Sequence, residues 1–190
     1  MLKKKAYLHF MGKYGNSSDP EEVLECQKLC RTALREYPGD IDIEYTLGSS
    51  LNKTGEFAEA WEIFQRCEKK LVDAEYIEKS DIVSAKPWVL FIQMAIAAQG
   101  LGDPQGIIRY STMVLSEDNS HEDVLRSYIK TLLVHDTSED DVIGLLERLY
   151  NFSNPKDVMF LARAAKDCGA IQLARSLVEM AQQTLRSGGV

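Results

Sequence analysis

Cys26 and Cys30 stand four residues apart, so a helix would set both thiols on one face, where they could hold a soft metal ion or answer an oxidant. Two thiols with no histidine or second pair beside them make an incomplete ligand set. The four cysteines, Cys26, Cys30, Cys67 and Cys168, also lack the paired spacing of a zinc ribbon. They read as small apolar residues packed between helices, and as unpaired thiols they suggest a reducing compartment. The histidines His9, His121 and His135 are scattered, with no HExxH arrangement, and no glycine-rich phosphate loop or GxSxG elbow occurs. Carboxylate pairs such as Glu21-Glu22 and Asp140-Asp141 fall where helices should begin, a place that favours negative charge without any catalysis. These residues point to a chain that is not an enzyme and that needs neither cofactor nor metal.

Cations are the remaining chemistry. Arg126, Lys130, Arg163 and Lys166 lie in the second half of a 190-residue chain whose formal net charge is −7. That acidic balance argues against general binding of nucleic acid, which requires cations to replace phosphate counterions. Local basic positions in an acidic protein suit an acidic peptide or protein partner instead. Lys3, Lys4 and Lys5 precede an apolar stretch, but that stretch is about half the length of a signal-peptide core and contains His9. The apolar run from Trp88 to Ala98 is too short to span a bilayer and is interrupted by Gln93. The expectation is a cytoplasmic protein that does not enter a membrane.

What must position these residues is a set of helices. The clearest unit runs from Glu44 to Cys67, with Leu47-Gly48, Leu51, Gly55, Phe57, Ala60, Phe64 and Cys67. Gly48 and Ala60 are small enough for two antiparallel helices to approach closely. Leu47, Leu51, Phe57 and Phe64 fill the space between that pair and its neighbours, and Gly55 supplies a positive φ in the turn. This pattern resembles the tetratricopeptide repeat, in which Leu-Gly and a large residue three further on fill one helix, and Ala with a large residue four further on fill the next. The family's leading Trp is replaced here by Glu44.

The elbow recurs at Leu101-Gly102-Asp103-Pro104 and at Asp167-Cys168-Gly169-Ala170. Around the last of these, Leu161-Ala162, Ala165, Gly169, Ile171, Ala174, Val178 and Ala181 fall in register with the first unit. Gly102 and Gly169 are 67 residues apart, close to two repeats of roughly 34. The intervening repeat is supplied by the helical pattern Glu122 to Val134, the polar turn Asp136 to Asp141, and Val142, Leu145, Leu146 and Leu149. An N-terminal unit has a short first helix, Tyr7 to Lys13, and a second from Glu21 to Glu36 begun by Ser18-Asp19-Pro20. The expected architecture is all-α: one right-handed α-solenoid of about five antiparallel helix pairs, with repeats near 6–38, 41–72, 88–119, 122–153 and 155–186. Gly55 and Gly102 are 47 residues apart, so an insertion lies within 69–87, read as an elongated second helix and then a loop ending at Lys86-Pro87. It is either an idle insertion or an accessory contact.

In the tetratricopeptide family the first helix of each pair lines an inner groove. Carried over by register, the resemblance places Asp42, Tyr45, Ser49, Asn52 and Lys53 there, then Val89, Ile92, Ile96 and Gln99, then Arg126, Lys130 and Val134, and last Met159, Arg163 and Lys166. It implies a scaffold that binds a protein or peptide with an acidic end and an apolar body; the other reading of the cations is ordinary solvated charge. The carboxylate-gripping Lys and Asn of chaperone adaptors are absent: Tyr45, Ser49, Ile92 and Ile96 stand in their places. Two further readings remain. The run from Lys86-Pro87-Trp88 through Tyr110 to Leu115 is similar to repeat regions appended to bacterial family-2 glycosyltransferases, which implies an accessory or dimerisation module of a larger enzyme. Leu177, Met180, Ala181 and Leu185 on the last helix could support a homodimer.

Overall fold

The computed structural model describes residues 2–72, 80–83, 85–135 and 137–187. Among them there are ten α-helices and no strand. In chain order these are α1 (Leu2–Gly15), α2 (Pro20–Glu36), α3 (Ile41–Thr54), α4 (Phe57–Lys70), α5 (Trp88–Leu101), α6 (Pro104–Glu117), α7 (Glu122–Val134), α8 (Glu139–Leu146), α9 (Pro155–Asp167) and α10 (Ile171–Ser187). The chain divides into two compact units, Met1–Gly106 and Ile107–Val190. None of the described helices is long and apolar enough to cross a membrane.

In the first unit each helix packs on the next, from α1 to α5, and the alternate helices α1, α3 and α5 also touch. Helix starts are fixed by short polar side chains. Asp19 accepts from the Glu21 amide at 2.9 Å, with Pro20 in the first helical position, and Asp40 accepts from the Asp42 and Ile43 amides. The end of α3 is set by Gly55, at φ 81°, and the Glu56 amide donates back to the Leu51 carbonyl at 2.9 Å. The end of α5 repeats that device with Gly102 at φ 68° and the Asp103 amide on the Ala98 carbonyl. Ile43, Leu47 and Leu51 of α3 then meet Ala60, Ile63, Phe64 and Cys67 of α4, all buried. Helix α5 carries no charged side chain and is apolar on all sides, as a helix does when neighbours cover most of its circumference.

Gly48 shows why the pair can close. A Cβ built on it would stand 2.5 Å from Phe64 Cε1, and the Phe64 side chain is fully buried with nowhere to move. Gly48→Ala is therefore expected to lower the unfolding free energy by about 1–2 kcal/mol, overpacking outweighing the better helix propensity of alanine. Urea unfolding checks this; an unchanged or higher midpoint would mean that the ring yields.

The insertion departs from expectation. Helix α4 stops at Lys70 instead of running on, with Leu71 and Val72 in a turn, while residues 73–79 lie outside the described set. Its returning arm, residues 80–83, is tied down by Asp42. The α1 helix is also longer than the Tyr7 to Lys13 expected: no proline stands between Leu2 and Gly15, and the helix carries Gly12 in its interior.

In the second unit, α9 and α10 form the closest pair, and α7 packs on both α8 and α9. Gly169 closes α9 at φ 87° and the Ala170 amide donates to the Ala165 carbonyl at 2.8 Å, the same device as at Gly55. Ser138 and Asn154 cap α8 and α9, and Pro155 takes the first position of α9. The core combines Leu125, Tyr128, Ile129 and Leu132 with Val142, Leu146, Leu161, Leu173 and Leu177. Helix α8 ends at Leu146, so Leu149 belongs to the turn that follows and not to the helix. There the Tyr150 hydroxyl donates to the Asn119 backbone carbonyl at 2.7 Å and the Asn119 side-chain Nδ2 donates to the Leu149 carbonyl at 3.0 Å. Burial pushes the Tyr150 phenol up, so it stays a donor.

Candidate binding surface

Helices α7 and α9 lie against each other in the second unit, and their first-turn and last-turn residues set up the charge pattern. Arg126 and Lys130 are one turn apart on α7. Arg163 and Lys166 are nearly so on α9. Lys130, Arg163 and Lys166 are exposed and Arg126 is half-buried, and Val134 and Met159 on the same two helices are 67% and 47% exposed. The two helices therefore bring all four predicted cations and both apolar residues into one unit.

The cations do not stand alone, and this corrects the expected basic cluster. Arg126 pairs with Glu122 at 3.4 Å, with Asp123, and with Asp167 at 3.7 Å, and Arg163 reaches Glu122 at 3.4 Å. The Asp123 hydrogen bond holds the Arg126 guanidinium above its usual range. Glu122 and Asp167 thus cross-link α7 and α9, and half of the positive charge is spent inside the protein. Among the described residues Lys130 and Lys166 make no ion pair with a carboxylate, so they carry the charge that faces outward.

The expected positions in the first unit are split. Asp42 does not line a groove. It is fully buried, and its carboxylate accepts from the Ser80 hydroxyl at 2.7 Å and from the Asp81, Ile82 and Val83 amides at 2.7, 3.2 and 3.3 Å. Asn52 is 7% exposed and donates to the carbonyl and side-chain oxygens of Gln93 on α5 at 2.9 and 3.0 Å, so its amide joins two helices instead of meeting a ligand. Lys53 turns away to the Gly15 and Ser17 carbonyls. Tyr45 and Ser49 are half-buried; the Tyr45 ring lies 6.5 Å from that of Phe64, and burial pushes its phenol up. Val89 and Ile92 are half-buried, and Ile96 and Gln99 are exposed. Sequence reading placed these residues on first helices but missed which of them their neighbours already use.

The expected self-association face also changes. Leu177 and Ala181 are 0% and 1% exposed in the core of the second unit, Met180 packs partly on it, and Leu185 alone of the four stands open. Met159, Arg163 and Lys166, expected on a groove, line one of about 690 Å³ along α9 and α10 whose α10 side was missed: Ile171, Ala174 and Val178 with Ala162 on its floor, and Arg175 and Glu179 on its rim. The only signal for it was the pairing of apolar residues at positions 171, 174 and 178 with cations one turn away.

Cys26 and Cys30 are both fully buried, and the Cys26 thiol donates to the Met11 carbonyl at 3.6 Å. A hydrogen bond to the Cys26 sulfur, together with burial, pushes the Cys30 thiol up. Among the described residues no group of three or more His, Cys, Asp or Glu side chains converges as a metal site would require. No protein-family model matches the chain, and no curated protein matches it.

Proposed function

We propose that the chain is a tetratricopeptide-type, right-handed α-solenoid that serves as a scaffold for a protein or peptide with acidic character. The glycine-closed turns at Gly55, Gly102 and Gly169 support this, each with the following amide bonded to the carbonyl five residues back. So does the nearest-neighbour packing in which alternate helices touch: α1 with α3, α3 with α5, and α7 with α9. The observation that carries the binding reading is the shared α7–α9 surface. It combines outward-facing Lys130 and Lys166, braced by the Arg126–Glu122–Arg163 pairs, with exposed Val134 and Met159. A partner with an apolar stretch and a few carboxylates complements both features.

Selection from a random peptide library against the whole chain tests this. Enriched peptides are expected to carry Asp or Glu next to apolar residues. They should bind Lys130→Glu/Lys166→Glu at least tenfold more weakly, with the wild-type affinity falling as salt rises. These two lysines are chosen because their replacement leaves the Arg126 and Arg163 ion pairs intact. Selection of peptides with no acidic bias, or equal binding by the double variant, would remove the proposal.

A further inference from the structure

The two best-matched helix pairs of this chain correspond residue for residue at a constant offset of 114, and one of them shows what covers such a pair. In α3/α4 the positions Tyr45, Phe57, Ala60 and Phe64 form a face on which α5 lies. Ala60 and Phe64 are fully buried, Asn52 bonds to Gln93 of α5, and Gly100 of α5 sits so close to Phe57 that a Cβ there would be 2.2 Å from the ring. In α9/α10 the equivalent positions are Met159, Ile171, Ala174 and Val178. Met159 and Ile171 are 47% and 46% exposed where Tyr45 and Phe57 are half-buried, Val178 is half-buried where Phe64 is fully buried, Ala174 stays buried like Ala60, and the groove between the helices is open. The same apolar pattern is thus covered by a helix in one pair and, among the described residues, left open in the other.

The charges identify the occupant. At the covered face, Ser49, Asn52 and Trp61 are neutral, and so is the whole of α5. At the open face those three positions are Arg163, already paired with Glu122, and Lys166 and Arg175, against one added acid, Glu179 in place of Gln65. A neutral groove holds a neutral helix; its cationic counterpart selects a helix with carboxylates beside its apolar stripe. We infer that the α9/α10 groove seats an acidic amphipathic helix of a partner protein, laid across it as α5 lies across α3/α4. The inference shares Arg163 and Lys166 with the surface proposed above, and rests on that reading only for a partner of acidic character. Its distinguishing residues are on α10.

The probe is a fluorescent 18-residue peptide with the sequence of residues 86–103, carrying Gln93→Glu, Ile96→Glu and Gln99→Glu. Position 93 is the one that faces Asn52 and hence, by the offset, Lys166. A control peptide carries lysine at the same three positions. Fluorescence anisotropy with the whole chain should show saturable binding of the acidic peptide and none of the control. Arg175→Glu should weaken binding at least tenfold and Ile171→Asp should abolish it, both at exposed positions where folding is preserved, which circular dichroism verifies. Lys28→Glu, the same charge change at an exposed position on α2, should leave this binding unchanged, and the α7–α9 proposal is read separately from the library selection. Equal binding of both peptides, indifference to Arg175→Glu and Ile171→Asp, or no saturation by about 1 mM peptide would overturn the inference. So would a dimer of the wild-type chain in sedimentation velocity that Ile171→Asp abolishes, since the groove would then be filled by a second copy.

Discussion

Asp42→Ala should lower the unfolding free energy by about 4 kcal/mol and open the chain to proteases at residues 80–83. The carboxylate is fully buried and accepts four hydrogen bonds from residues 80–83, three of them from consecutive backbone amides. Hydrogen bonds to a charged acceptor contribute about 1.5–3 kcal/mol each, but the released amides regain water, so the net loss is less than the sum. Asp42 also sits in the first turn of α3, where a negative charge is favoured, and that contribution goes too. Asp42→Asn keeps an acceptor oxygen and should retain at least half of the stability. Urea unfolding gives the energy, and limited proteolysis with mass mapping gives the place. Wild-type resistance at residues 80–83 in the alanine variant would show that Val83, fully buried itself, holds the segment without the carboxylate.

The contrast between Asp42 and Gly55 explains which parts of the fold can be read from the chain. Gly55, Gly102 and Gly169 announce themselves because a left-handed turn and its 2.8–2.9 Å amide bond are set within six residues. The Leu-Gly and Ala spacings are equally local, and the helices they mark are present. The all-helical class was therefore legible. Asp42 and Ser80 are 38 residues apart, and Glu122 and Arg163 are 41 apart. An acid in the first turn of a helix looks the same whether it merely complements the dipole or reaches across to a distant segment. For that reason Asp42 looked like a surface residue, and the cations on α7 and α9 looked unopposed. The register itself carried more than was drawn from it. Ala181 aligns with Cys67, and both are core, which argues against Ala181 in a self-association face. Ile171 aligns with Phe57, which is half-buried under α5, and only the absence of a described helix over Ile171 leaves its position open.

Glu44 stands where the tetratricopeptide pattern has a tryptophan, and the structure supplies a chemical reason that can be tested. Its carboxylate is 2.5 Å from the Lys70 ammonium, with side-chain exposures of 10% and 15%, and Lys70 also donates to the Gly39 carbonyl at 2.9 Å. The pair thus ties the start of α3 to the end of α4, as a bulky ring would do by packing. Burial and the neighbouring carboxylate push the Cys67 thiol up, so it donates to Glu44 Oε2 and remains neutral. Lys70→Met leaves Glu44 buried with only Arg66, 3.9 Å away, to offset it. The expected loss is about 3 kcal/mol, at the lower end of what breaking a buried pair costs because Arg66 remains. Replacing both partners by apolar groups is often neutral or stabilising, so Glu44→Leu/Lys70→Met should lie within about 1 kcal/mol of wild type. Urea unfolding of the two single variants and the double variant forms a thermodynamic cycle whose coupling term should be at least about 2 kcal/mol. Single and double variants that lose stability additively would mean that Glu44 and Lys70 are held by their own helices, and that the pair does not replace the missing ring.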